Sequence, residues 1–333
     1  ALEERVAEVT KRRAGLYVDK AAHPEFAGVV LVTAANKAYM QFYQNWECAA
    51  TRHGLDWAVL ANDDAAYEKL GPERAMPVLT PYEKVSSMVG WGSVKLDYVG
   101  RNKMHMVQLI MRLTGLDVVF TDADNVFLRD PFRPGASLGD LIRAQSYDYV
   151  YQPELAKRPP KGYQSPGDGG NTGFFFAAGS RKGNLQTFFG AVVAEVDRQL
   201  EKGKGAADQP IWWQVFNRLM QSHGKQEGPW GFKCVKMCGK QASCSAPAAE
   251  TLEYCGMDPF RHPTGWEEAD RWLDSIDSYH ANYAANDGKI AKLQKVKAWN
   301  PNEKNCHAAA PATGGTPAPL GQAAAGQQEL RDA

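Results

Sequence analysis

The chain has 333 residues, 44% of them apolar and nine of them tryptophan, enough for one large α/β domain or two smaller ones. Lysine plus arginine equals aspartate plus glutamate at 38 each, so no global field draws the chain to nucleic acid or an anionic membrane. Any anionic ligand must be recognised locally. No apolar run reaches the roughly 18 residues a membrane span needs, and no signal peptide is present. The first residue is alanine, which fits a processed or truncated chain.

In chain order, Leu2, Val6 and Val9 share one helical face until Gly15. Val29-Val30-Leu31-Val32-Thr33 reads as a buried strand, and small polar residues follow it. Residues 39–53 carry Phe42 and Trp46 at helical spacing, and Gly54 stops them. Trp57-Ala58-Val59-Leu60 is a second strand, ending in Asn62-Asp63-Asp64. Strand, helix, strand, each strand ending polar, opens a doubly wound nucleotide-binding sheet. Neither Gly-x-Gly-x-x-Gly nor Gly-Lys-Ser/Thr occurs, which disfavours a dinucleotide or ATP cradle. Residues 65–101 read as irregular with a hairpin around Trp91, and a helix is predicted from Asn102 to Leu113.

Val118-Val119-Phe120 then forms a buried strand that runs into Asp122-Ala123-Asp124. Carboxylates at i and i+2 of an extended chain leave the same side. Their repulsion favours a hard divalent cation, and the carboxyl end of a parallel strand is where α/β folds bind ligands. The pair therefore reads as a metal site for a phosphate-bearing substrate, against the plainer reading of a solvated surface turn. Phe127 stands where an EF-hand needs glycine, which excludes a calcium loop. Residues 157–170 read as a lid over substrate or a plain surface loop. Phe174-Phe175-Phe176-Ala177 is another strand, Ser180 is expected to cap the next helix, and Asp208-Gln209-Pro210 opens a further one.

Cys234, Cys238, Cys244 and Cys255 lack the spacing of zinc knuckles, so disulfides are favoured over zinc, with three pairings open. Cys48 lies in a helical pattern and reads as a small buried apolar residue. After Pro301 the chain is Ala, Gly, Pro and Gln, the composition of a disordered tail.

Phe-Thr-Asp-Ala-Asp-Asn-Val-Phe-Leu-Arg-Asp-Pro (residues 120–131), Asn171-Thr172-Gly173, Asp208-Gln209-Pro210, and His280-Ala281-Asn282-Tyr283 with Gly288-Lys289 downstream form an ordered set. It resembles the nucleotide-diphospho-sugar transferases, in particular family 77 of the retaining GT-A glycosyltransferases, which contains plant and algal cell-wall arabinosyl-, xylosyl- and galactosyltransferases. The resemblance implies an α/β fold, a single Rossmann-like GT-A domain with a mostly parallel central sheet flanked by helices. Residues 1–27 would be a lead-in helix or stem, 28–300 the domain with a cysteine-bearing insert at 225–275, and 301–333 the tail. By the same resemblance Asp122, Asp124 and His280 would hold Mn2+, with Mg2+ as the alternative, and Lys289 would neutralise the leaving diphosphate. Asp208 would bind donor-sugar hydroxyls, Gln209 would lie near the anomeric carbon, and Asn171 would line the sugar pocket. Thr33 and Asn62 or Asp63 are candidates for the uridine. The family usually has a lysine at the position of Met104, so the role of Lys103, one place away, is left open.

The implied reaction is transfer from a UDP-sugar, arabinofuranose before galactose or xylose, to a glycan or hydroxyproline-rich glycoprotein. Its implied place is the Golgi lumen, in a native type II membrane protein. Front-face attack is favoured over a covalent intermediate. Two other readings compete. Haloacid-dehalogenase-type phosphatases share an apolar strand before Asp-x-Asp, but there the motif normally opens the domain. A catalytically inactive homologue would bind UDP-sugar and turn nothing over.

Overall fold

The apolar runs become the strands of one mixed sheet. The computed structural model describes residues 2–78, 84–88, 93–160, 170–180, 183–205, 207–221, 234–237, 250–301 and 306. The first half supplies β1 (Val29–Ala35), β2 (Ala58–Ala61), β3 (Ala75–Pro77), β4 (Asp117–Thr121) and the short β5 (Asn125–Phe127), with α1 (Leu2–Arg12), α2 (Met40–Arg52), α3 (Asp64–Leu70) and α4 (Val94–Thr114) among them. The second half supplies α5 (Ser137–Ala144), β6 (Tyr149–Pro153), β7 (Gly170–Ala177), α6 (Gly183–Glu201), α7 (Asp208–Gln221), β8 (Cys234–Met237), β9 (Thr251–Gly256), β10 (Ser278–His280) and α8 (Asn286–Lys295). The large sheet has the order β3-β2-β1-β4-β7-β6-β9-β8, and β5 pairs separately with β10. Among the described strands only β7 runs against its neighbours, so the sheet is mostly parallel, as expected.

Strand alternation divides the core between the two faces. Val29 and Leu31 pack with Phe42 and Trp46 of α2, whereas Val30 and Val32 pack with Met104 and Val107 of α4 and with Phe188 and Trp212 of α6 and α7. Burying a large apolar side chain of this kind stabilises the fold by about 1.5–3 kcal/mol. Val6 and Val9 of α1 are fully buried in the same layer as α4.

Several sequence expectations need correction. Residues 65–101 hold α3 and β3, and α4 starts at Val94 rather than Asn102. Ser93 caps α4 by accepting from Leu96 N at 3.3 Å, and Gly100 sits inside the helix instead of before it. Ser180 donates from both its hydroxyl and its amide to Asp117 Oδ1, at 2.6 and 2.9 Å, and the residues between it and α6 lie outside the described ones. Cys48 is disulfide-bonded to Cys306, with Cα atoms 4.8 Å apart. The chain after α8 comes back over α2, where Asn45 donates to the Ala298 carbonyl at 2.9 Å, and this carries Cys306 to Cys48. Cys255 is also disulfide-bonded, as the spacing argument favoured. The hairpin around Trp91, most of the 157–170 loop and most of the tail lie outside the described residues, within which no helix is long and apolar enough to cross a membrane.

Candidate active site

β4 ends at Thr121, and residues 122–124 turn, closed by Asn125 N donating to the Asp122 carbonyl at 3.0 Å. The two carboxylates therefore do not leave one side of an extended strand, as the sequence suggested; the turn aims them at different neighbours. The antiparallel register of β10 on β5 sets His280 opposite Asn125, and Ala281 N donates to the Asp124 carbonyl at 2.9 Å. One ligand atom from each of Asp122, Asp124 and His280 then lies within 4.8 Å of the other two. A side chain at position 173 would collide here. A Cβ on Gly173 would overlap Asp122 Oδ2 and come 2.6 Å from His280 Cε1, so the glycine of Asn-Thr-Gly is what lets the cluster close.

Gln152 on β6 fixes the imidazole. Its Nε2 donates to the His262 carbonyl at 2.9 Å, which leaves Oε1 facing His280 Nδ1 at 3.1 Å. That network assigns the proton to Nδ1 and presents the Nε2 lone pair to Asp124 Oδ1, 3.4 Å away. Two carboxylates and an imidazole nitrogen on a shared centre are a donor set that suits a divalent ion of the manganese kind.

Two lysines flank the cluster. Lys289 of α8 is ion-paired with Asp124 and lies 5.7 Å from the ring centroid of Tyr39. Burial works against the Asp124 anion, but the Lys289 ammonium outweighs it and holds its carboxyl well below the usual range. Lys103 of α4 is buried, 2.6 Å from Asp208 Oδ2 and 3.9 Å from Asp122 Oδ1. Burial alone would lower its pKa; Asp122 and Asp208 prevail and raise it, so it remains an ammonium. Asp122 moves the other way: crowding by protein raises its carboxyl, Lys103 opposes, and the Asp124 charge adds to the rise. Thr172 Oγ1 donates to Asp208 Oδ2 at 2.8 Å, and Thr172 N donates to Gln209 Oε1 at 3.4 Å, so β7 and the start of α7 form one floor. Gly100 makes room for it, since a Cβ there would come 2.6 Å from Asp208 Oδ1.

Residues 55–293 match the sequence profile of the nucleotide-diphospho-sugar transferases. The chain belongs to that family. The resemblance drawn from the ordered motifs agrees with this match. No curated protein matches the chain. Similar solved structures include the glycosyltransferase GlyE of Streptococcus pneumoniae TIGR4, with TM-score 0.41 and 13% identity over 80% of this chain and 59% of that one. Another is the apo form of the WbbM bifunctional glycosyltransferase, with TM-score 0.39 and 12% identity over 83% and 52%. The chain thus spans little more than half the length of either.

The other expected site residues of this transferase-family chain fall around the cluster to different degrees. Asn171 is buried on β7, donating to Glu154 and accepting from Gly173 N at 2.6 Å. Asp63 caps α3 by accepting from Ala66 N at 2.7 Å and also accepts from Lys37 N at 2.8 Å, which ties together the loops after β1 and β2. Such a cap stabilises a helix by about 1 kcal/mol. Asn62 is buried beside Asn102, at 3.4 Å. Thr33 is enclosed in mid-sheet between Val59 and Thr121, and its hydroxyl has no hydrogen-bond partner among the described residues. Sequence reasoning missed Gln152 and Glu154. The one signal was a pair of polar residues closing an otherwise aromatic and apolar strand. Glu154 joins Asn171 to Asn282, whose Nδ2 donates to it at 3.0 Å.

Proposed function

We propose that the chain is a retaining glycosyltransferase using a UDP-sugar donor and Mn2+. The favoured donor sugar is arabinofuranose, with galactose or xylose next, and the acceptor is a cell-wall glycan or hydroxyproline-rich glycoprotein. The observation that carries the reading is the convergence of Asp122, Asp124 and His280 within 4.8 Å, flanked by Lys289 on one side and the Lys103–Asp208 pair on the other. Family membership supports the nucleotide-sugar donor and a divalent metal. The specific sugar, acceptor and metal rest on the motif resemblance.

Asp122, Asp124 and His280 would hold the ion, and a bound divalent cation would supply charge stabilisation to the departing diphosphate. Lys289 adds a fixed ammonium where that charge develops. Asp208, with Gln209 and Thr172, presents acceptors and donors to the sugar hydroxyls, while Lys103 keeps the Asp208 carboxylate in place. In the reaction an acceptor oxygen bonds to the anomeric carbon as the bond to the diphosphate breaks, and the acceptor proton leaves with the diphosphate. Asp208 is already engaged by Lys103 and Thr172, which supports attack by the acceptor on the leaving-group face over a covalent sugar–Asp208 intermediate. The Cys48–Cys306 disulfide supports an oxidising compartment, in keeping with a Golgi lumen.

The test is UDP release from UDP-arabinofuranose, UDP-galactose and UDP-xylose with Mn2+. Turnover of one donor that Asp124→Ala abolishes is the expected result. UDP binding without any turnover would overturn the enzyme reading in favour of a binding homologue.

A further inference from the structure

A cavity of about 590 Å³ lies beside the cluster, between residues 156–158, residues 265–268, Trp272, Tyr283 and Lys292. Its wall is one hydrogen bond from His280, since Gly265 N donates to the His280 carbonyl at 2.7 Å. Lys292 secures the same wall by donating to the carbonyls of Asn282 and Gly265 at 2.8 and 3.1 Å. Pockets of roughly 300–1,000 Å³ hold small organic ligands.

Two aromatic side chains in this lining keep part of their surface exposed. Tyr283 is 50% exposed and Trp272 39%, and among the described residues they are the large aromatics that remain exposed. Tyr283 is held at φ +57°, a left-handed conformation that strains a bulky residue and collects at functional sites. Its phenol lies within the electrostatic reach of Glu154, the carboxylate that also accepts from Asn171, so the ring stands next to the expected sugar pocket. Gly265, at φ +65°, allows the ring to pack there; a Cβ would come 2.7 Å from Tyr283 Cδ2. Trp272 sits at a kink in a short 3-10 helix, Ala269–Ser275, with the Arg158 guanidinium 3.7 Å over its ring.

We propose that this cavity is the acceptor subsite, and that it takes a neutral, hydroxyl-rich sugar ring whose C–H face lies on Tyr283 or Trp272. The proposal rests on the transferase reading and deepens it. The lining carries both signs, and most of its charges already have partners: Arg158 stacks on Trp272, Lys292 donates to backbone carbonyls, and Glu268 is paired with Arg271 at 3.2 Å, beside Lys157 and Glu267. A phosphate or polyuronate chain would bring its charges against the two carboxylates, while Arg158 and Lys292 are already engaged. Ring faces for the apolar side of a sugar, and carboxylates and an ammonium for its hydroxyls, give the mixed lining that such a ligand needs.

The experiment is calorimetric titration of the full chain, with UDP and Mn2+ present, using neutral arabino-, galacto- and xylo-oligosaccharides, and oligogalacturonides for comparison. The proposal expects at least one neutral oligosaccharide to bind and the acidic ones not to. It expects Trp272→Ala and Tyr283→Ala each to weaken binding about tenfold or more, and Trp272→Phe to restore most of it. No binding by any neutral probe, stronger binding by oligogalacturonides, or equal binding by wild type and both alanine variants would overturn it. UDP affinity is read separately: a wild-type chain that ignores UDP sinks the donor reading, while the oligosaccharide titration still decides the subsite.

Discussion

The two carboxylates of the Asp122–Asp124 turn occupy contrasting surroundings. Asp124 is closed in by β10 and α8; its side chain is 4% exposed, with His280 at one oxygen and Lys289 at the other. Asp122 keeps 36% of its side chain open and shares Lys103 with Asp208. The closed side is built by the last part of the chain and is a rigid, charge-matched clamp. The open side is built by α4, β7 and α7 and faces the space where a sugar would sit. A turn rather than a strand between the two acids makes this division of labour feasible.

The comparison is broken most severely at its closed side. Asp124→Ala removes a ligand and strands Lys289, and UDP-sugar turnover with Mn2+ should fall by about a thousandfold or more. Lys289→Met keeps the ligands and loses the fixed ammonium, so a drop of about a hundredfold, mainly in kcat, is expected in the same assay. On the open side, Gly100→Ala sharpens the contrast. Alanine favours a helix by about 1 kcal/mol over glycine, yet its methyl would displace Asp208. Activity should fall about tenfold with no gain in Tm; unchanged kinetics would show that the position of Asp208 does not matter.

The smallest effect concerns a second buried histidine outside the cluster. His262 is fully buried, its Nε2 has no hydrogen-bond partner among the described residues, and burial lowers its pKa from 6.5 to about 4. Asp277 and Asp258 oppose that shift, while Arg261 and Arg133 add to it. The unfolded chain takes up this proton near pH 6.5 and the folded chain only near 4, so its contribution to stability is whole above 6.5 and lost as pH falls towards 4. The loss should approach about 3 kcal/mol, read as the fall in urea midpoint between neutral and acid pH. His262→Gln should flatten that dependence without changing Mn2+ affinity.

The closed and open sides were also unequally legible in the sequence. β1, β4 and β7 showed themselves as apolar runs, and the polar turn after β4 marked the metal-type acids because charge is rare at the end of a buried strand. His280 could be paired with them only through the ordered motifs, since the β5–β10 register that joins them spans the whole second half of the chain. Lys103 was left open because it lies one place from the family's lysine position, and its pairing with Asp208, 105 positions on, shows only in the fold. Gln152 acts through His262 and His280, and Glu154 reaches Asn282, all more than a hundred positions on, and helical spacing hid the thiol of Cys48, whose partner is 258 positions away.

The central claim is that one divalent ion is shared by Asp122, Asp124 and His280 when UDP is bound. Loss of the free Mn2+ electron paramagnetic resonance signal, titrated with the chain and UDP, tests it directly. The account predicts one tight ion per chain, no tight binding in Asp122→Asn or Asp124→Asn, and binding weakened by about tenfold to a hundredfold in His280→Ala. Wild-type Mn2+ affinity in the His280→Ala and Asp124→Asn chains, at unchanged UDP affinity, would contradict it.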